Sequence, residues 1–173
     1  MIVWLNGPFG VGKSSVAREL VRLVPKSRIH DPERLGWLLK RTVGRLRPGD
    51  YQQLSLWQHG TISRAHRAGR DGRAVFVPMT VLNPEHLDRL LTGLRTRGDN
   101  VLHVVLDAPA AVLAARIAGD KNDPGAEQWR RRHIALYEQV KDELTANAVT
   151  LSTAGADPRQ LAAQIAAMLE PAL

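Results

Sequence analysis

The chain has 173 residues, 44% hydrophobic and 24% charged, which corresponds to one domain that folds without disulfides or a structural metal. It holds no cysteine and no run of about 18 apolar residues, which excludes thiol catalysis, thiolate metal sites and a membrane-spanning helix. The +7 formal charge is concentrated in residues 28–73, with ten lysines and arginines against four acids, which favours an anionic ligand; at 5% aromatic residues with no basic-aromatic platform, nucleic acid is not the expected partner.

Ile2 to Leu5 predicts a short buried strand, followed by a glycine-rich turn and a helix from about Lys13 to Val24 that Pro25 stops. A short strand near Arg28 to His30 leads into Asp31-Pro32, which opens a helix to about Val43. Arg47-Pro48-Gly49-Asp50 reads as a loop, and Tyr51 to Ala68 has helical spacing. Ala74 to Val77 predicts a strand ended by Pro78, and Asn83-Pro84-Glu85 starts a helix ending near Gly98. Val101 to Leu106 is the next strand and Ala108 to Ala118 the next helix. Residues 119–125 have no apolar period and read as a loop before a helix from about Glu127 to Leu144. Val149 to Leu151 is a fifth strand, and Asp157-Pro158 opens a last helix to Leu169. This alternation specifies one α/β domain over 1–173, a parallel sheet with helices on both faces. Ligands of such sheets bind at the carboxyl ends of the strands. The opening residues lack the basic segment and long apolar core of a secretory signal, so the expected location is cytoplasmic.

Gly7-Pro8-Phe9-Gly10-Val11-Gly12-Lys13-Ser14 fits G-x-x-x-x-G-K-[ST], the phosphate-binding loop, in its required setting between a strand and a helix. The glycines let backbone N–H groups approach phosphate oxygens, and the helix start adds its positive dipole end. Lys13 is the expected clamp on the β- and γ-phosphates, Ser14 the expected Mg²⁺ ligand, and Ser15 continues the phosphate cradle. Asp-x-x-Gly and Asn-Lys-x-Asp are both missing, which argues against a GTPase. Leu-Ser-Gly-Gly-Gln is missing too, and the length leaves no room for an ATPase core with an oligomerisation domain. A small phosphotransferase remains.

Such an enzyme needs a base near the acceptor hydroxyl and cations over the transferring phosphoryl group. Asp31, on the same sheet edge as the loop, is the candidate base or a water-mediated Mg²⁺ contact; a helix cap ahead of Pro32 is the other reading, and the roles coexist. Asp107 ends an apolar strand as a Mg²⁺-holding aspartate does, but a proline follows near a helix start, which favours capping. The strand Ala74 to Val77 ends in Pro78-Met79-Thr80 without an acid, so Mg²⁺ is expected to rest mainly on Ser14, ATP and water. Arg116 precedes the 119–125 loop, Lys121 lies in it, and Arg130, Arg131 and Arg132 follow. That composition fits a lid over about 117–131. A helix directs only one or two of three consecutive arginines inward, and Arg131 is the one favoured. Residues 32–73 form the expected acceptor-binding section, where Trp37, Tyr51 and Trp57 either pack in the core or stack on a sugar or base ring. His59 and His66 share a helical face without a carboxylate partner, which makes a poor metal site.

The phosphate loop, Asp31-Pro32-Glu33-Arg34-Leu35-Gly36, and Val77-Pro78-Met79-Thr80-Val81 followed by Asn83-Pro84-Glu85 together resemble the tunicamycin-resistance protein family, across most of the chain. That family belongs to the P-loop kinase-like proteins, related to nucleotide, shikimate and chloramphenicol kinases. The resemblance implies a three-layer sandwich around a five-stranded parallel sheet in the order 2-3-1-4-5, with ATP as donor and resistance to the nucleoside antibiotic tunicamycin. It supports Asp31 as base, Arg116 as the arginine before the lid, and Lys121, Asn122 and Arg131 as lid positions. Thr153-Ala154-Gly155-Ala156-Asp157-Pro158 is similar to the adenine-contacting turn of such kinases, making Ala154 and Gly155 nucleotide contacts. Two departures are the missing acid after strand three and the missing spaced arginine pair in the lid. The expected activity is transfer of the γ-phosphoryl group of ATP, with Mg²⁺, to a hydroxyl of tunicamycin or a related nucleoside or sugar. ATP-dependent sequestration without chemistry is the alternative, and a basic, partly amphipathic helix leaves peripheral membrane contact open.

Overall fold

The computed structural model describes residues 1–32, 55–120 and 126–169. Five strands form: β1 (Ile2–Asn6), the two-residue β2 (Arg28–Ile29), β3 (Val75–Pro78), β4 (Val101–Asp107) and β5 (Val149–Ser152), all but β2 rich in β-branched and large apolar residues. They pair in parallel in the order β2-β3-β1-β4-β5, with Ile2 opposite Val75 on one side and Val101 on the other. The sheet order implied by the family resemblance is therefore the observed one.

Strands covered on both faces read as unbroken apolar runs, yet their side chains still alternate. Val3 and Leu5 face one core with Phe76, Val104 and Leu106, while Ile2 and Trp4 face the other with Val75 and Val77. The first core is closed by α1 (Lys13–Leu23), α4 (Ala110–Ala118) and α6 (Pro158–Ala167), through Leu20, Leu113, Leu161 and Ile165. The second is closed by α2 (Ser55–Gly69), α3 (Pro84–Arg95) and α5 (Glu127–Thr145), through Trp57, Leu90, Leu94 and Tyr137. A fully buried side chain of this size contributes about 1.5–3 kcal/mol by leaving water.

The helix starts follow the capping chemistry in the sequence. Asn83 accepts a bond from the His86 N–H at 2.9 Å, and Asp157 with Gln160 completes a reciprocal capping box on α6. Trp57 is completely buried in the second core, its Nε1 3.4 Å from the Pro32 carbonyl oxygen. Its bulk serves packing, so of the two readings of Trp57 the core one holds. Trp37, Tyr51, the expected helix to about Val43, Lys121 and Asn122 lie outside the described residues.

Candidate active site

Because every strand runs the same way, the carboxyl ends of the strands and the loops leaving them meet on one edge. At the end of β1 the fully buried Asn6 side chain donates to the Val81 carbonyl at 3.0 Å and accepts the Val81 N–H at 2.9 Å. This pair of bonds pins the segment after β3 beside the start of the phosphate loop. Gly7 then turns at φ +135°. A Cβ there would stand 2.2 Å from the Leu106 carbonyl oxygen, so only glycine lets the chain pass β4.

Gly10 and Gly12 also have positive φ, +77° and +100°. Ser15 and Val16 both donate to the Gly12 carbonyl at 3.0 Å. The N–H groups ahead of them therefore have no intrahelical acceptor and stand at the positive end of α1. This cradle fits a polyphosphate. The Lys13 ammonium lies across the loop, donating to the carbonyls of Gly7 at 2.9 Å and Pro8 at 2.8 Å.

A cleft of about 330 Å³ opens on this loop. The loop supplies Phe9, Gly10, Gly12, Lys13, Ser14 and Ser15; Asp31 enters from the end of β2, and Pro78 and Thr80 from the end of β3. The rest of the lining is Arg116 and Ile117 of α4, Asp120 just beyond it, and Arg130 of α5. Beside Asp31, burial and the charge of Arg64 hold His30 below the ordinary imidazole range, against the opposing pull of Asp31. A neutral ring thus neighbours the carboxylate. Among the described residues no cluster of three His, Asp or Glu can hold a metal. The exposed Ser14 hydroxyl and the Asp31 carboxylate are hard oxygen donors of the kind that suits a hydrated Mg²⁺.

Arg116 is fixed by three acceptors: Thr153 Oγ1 at 2.8 Å, the Thr153 carbonyl at 2.8 Å and the Val11 carbonyl at 3.5 Å. Thr153 is itself buried and donates its N–H to the Asp107 carbonyl at 2.8 Å. One guanidinium therefore joins α4, the phosphate loop and the turn after β5. Ala154 and Gly155, on that turn, are exposed and stand outside the cleft lining.

Two expectations change. Arg130, rather than Arg131, is the arginine of the triplet that lines the cleft, where it pairs with Asp120 at 2.8 Å. Arg131 is 44% exposed and pairs along its own helix with Glu127 at 2.8 Å. The reason is helical phase: Arg130 shares the inward face of Ile134, Tyr137 and Leu144, spaced four, seven and fourteen residues on, whereas Arg131 lies one step round toward solvent. That signal was present in the sequence. Asp107 is not a helix cap: α4 has no side-chain cap, and the carboxylate instead accepts from Tyr137 Oη at 3.0 Å and Lys141 Nζ at 2.7 Å. Burial and then the bond to Asp107 push the Tyr137 hydroxyl up, while that same bond raises Lys141. Asp107 anchors α5 to the sheet. His66 pairs with Asp99 at 3.0 Å. Asn6 and Thr153 had no sequence signal for these contacts, since their partners are distant in the chain.

A family model described as an AAA domain matches residues 2–145. No curated protein sequence matches the chain. Among solved structures, the tunicamycin resistance protein of Deinococcus radiodurans is 30% identical, with a TM-score of 0.74 over 97% of this chain and 94% of that one. The APS kinase of Mycobacterium tuberculosis is 18% identical with a TM-score of 0.68, over 98% of this chain and 96% of that one. The shikimate kinase of Acinetobacter baumannii is 19% identical with a TM-score of 0.58, over 98% and 93%. The last two share the fold, and the first shares sequence along nearly the whole length. The chain belongs to the tunicamycin-resistance protein family within the P-loop kinase-like AAA domains.

Proposed function

We propose that the protein transfers the γ-phosphoryl group of ATP to a hydroxyl of a small molecule, tunicamycin or a related nucleoside or sugar. The observation that carries this reading is the cleft itself, about 330 Å³, in which Asp31 shares a volume with the phosphate loop, with Arg116, and with Arg130 and its partner Asp120. The acceptor half rests on the name of the Deinococcus radiodurans relative.

Lys13 exchanges its two loop carbonyls for phosphate oxygens, and the loop N–H groups hold the remaining oxygens in place. Asp31 orients the acceptor hydroxyl and takes its proton as the oxygen bonds to the γ-phosphorus. The bond from that phosphorus to the β,γ-bridging oxygen breaks, and ADP leaves. Arg116 and Arg130 counter the charge that spreads over the transferring oxygens. Ser14 would hold a Mg²⁺ that arrives with the nucleotide and adds further charge neutralisation. No helix among the described residues is long and apolar enough to cross a membrane.

Mass spectrometry of tunicamycin incubated with protein and MgATP tests the reading. One added phosphoryl group is the expected result; antibiotic retained by the protein with unchanged mass overturns transfer in favour of sequestration. Asp31→Asn should lower turnover by about 10²–10⁴-fold, the usual worth of a general base, with nucleotide affinity unchanged.

A further inference from the structure

Phe9 is a phosphate-loop residue whose ring lines the cleft, yet its aromatic neighbours come from the far side of the chain. The ring of Trp129 lies 4.9 Å from it at 59°, and that of His133 lies 5.6 Å away, edge-on at 88°. Trp129 and His133 also contact each other at 4.1 Å. His133 is held within its own helix by Nδ1, 2.7 Å from the Trp129 carbonyl oxygen. Three rings from two elements thus form one stack, in the tilted and edge-to-face geometries that aromatic pairs favour.

The stack meets the first turns of α5, where Arg130 also pairs with Asp120 at 2.8 Å and Ile134 is buried. The N-cap of that helix, Ala126, makes no side-chain cap bond. The side-chain pair of its first turn, Glu127 with Arg131, is solvent-exposed. The anchors on Asp107, Tyr137 and Lys141, lie two to three turns further along. Arg130, which carries the cleft-facing cation, directly follows Trp129.

We propose that the Phe9–Trp129–His133 stack seats the first turn of α5 on the phosphate loop and thereby positions Arg130 at the phosphate end of the cleft. Trp129 acts as a positioning residue, through Arg130, and the loop and its cation move as one unit. The inference rests on the reading that the loop takes a nucleoside triphosphate, and it adds which residues set the placement of the cation.

Calorimetric titration of MgATP and MgADP reads this placement, because a cation at the terminal phosphate strengthens ATP binding and leaves ADP binding alone. Arg130→Ala should lower the ATP-over-ADP affinity ratio by about tenfold. Trp129→Ala should lower it by about threefold or more, Phe9→Leu should shift it in the same direction, and Trp129→Phe should restore it. In the Arg130→Ala background, Trp129→Ala should change the ratio no further, with ADP affinity constant throughout. An unchanged ratio in Trp129→Ala, or an equal further loss in the Arg130→Ala background, overturns the inference alone. Wild-type protein that binds neither nucleotide overturns the reading of the loop and this inference with it.

Discussion

Gly7 turns at φ +135°, and a Cβ added there would meet the Leu106 carbonyl oxygen at 2.2 Å, whereas Gly12, at φ +100°, has open space around its missing Cβ. Alanine at Gly12 therefore adds only the positive-φ strain of about 1–2 kcal/mol. Gly7→Ala must also move backbone against backbone, so it should destabilise by clearly more; urea unfolding of the two variants gives the comparison. Asn6→Ala is expected to cost about 2–4 kcal/mol, because it strands both the N–H and the carbonyl of Val81 in a buried place. The glycine role was legible from motif spacing alone. That of Asn6 was not, since its partner is 75 residues away, and nothing local in Leu5-Asn6-Gly7 encodes a contact set by the packing of β1 against β3.

Helix phase decides the contrast between two adjacent arginines. Arg130→Ala should lower turnover by about tenfold or more, and Arg131→Ala should leave it within about twofold, measured as ADP release with acceptor present. Asp157→Ala should destabilise α6 by about 1 kcal/mol through loss of the capping box. Strands and helices were readable because hydrophobic period and caps are local: Asn83-Pro84 and Asp157-Pro158 begin helices where capping chemistry requires. Lateral order in the sheet is not local, and it came from the family resemblance rather than from any single segment. Asp107 shows the same division. Its position at a strand end was plain, but its partners Tyr137 and Lys141 are supplied by a helix that reaches it only in the folded molecule.

Acid should loosen the whole fold. His103 is buried on β4, its Nε2 has no hydrogen-bond partner among the described residues, and burial, aided by Arg95, lowers its pKa from 6.5 to about 4. Between those values the unfolded chain binds the proton and the folded chain does not. The contribution of the neutral ring is intact above pH 6.5 and is lost as the pH falls toward 4, a loss of about 3 kcal/mol by linkage. His103→Leu should flatten that dependence in urea titrations at pH 7 and below, since an apolar replacement leaves no ring nitrogen to protonate. The resting place of Lys13, on the Gly7 and Pro8 carbonyls, has its own consequence for selectivity. Entry of any anion is a trade, in which two good contacts are surrendered before new ones form. Only a ligand with a tail long enough to offer the ammonium better terms makes the exchange worthwhile, so a short one such as AMP should leave the lysine where it lies.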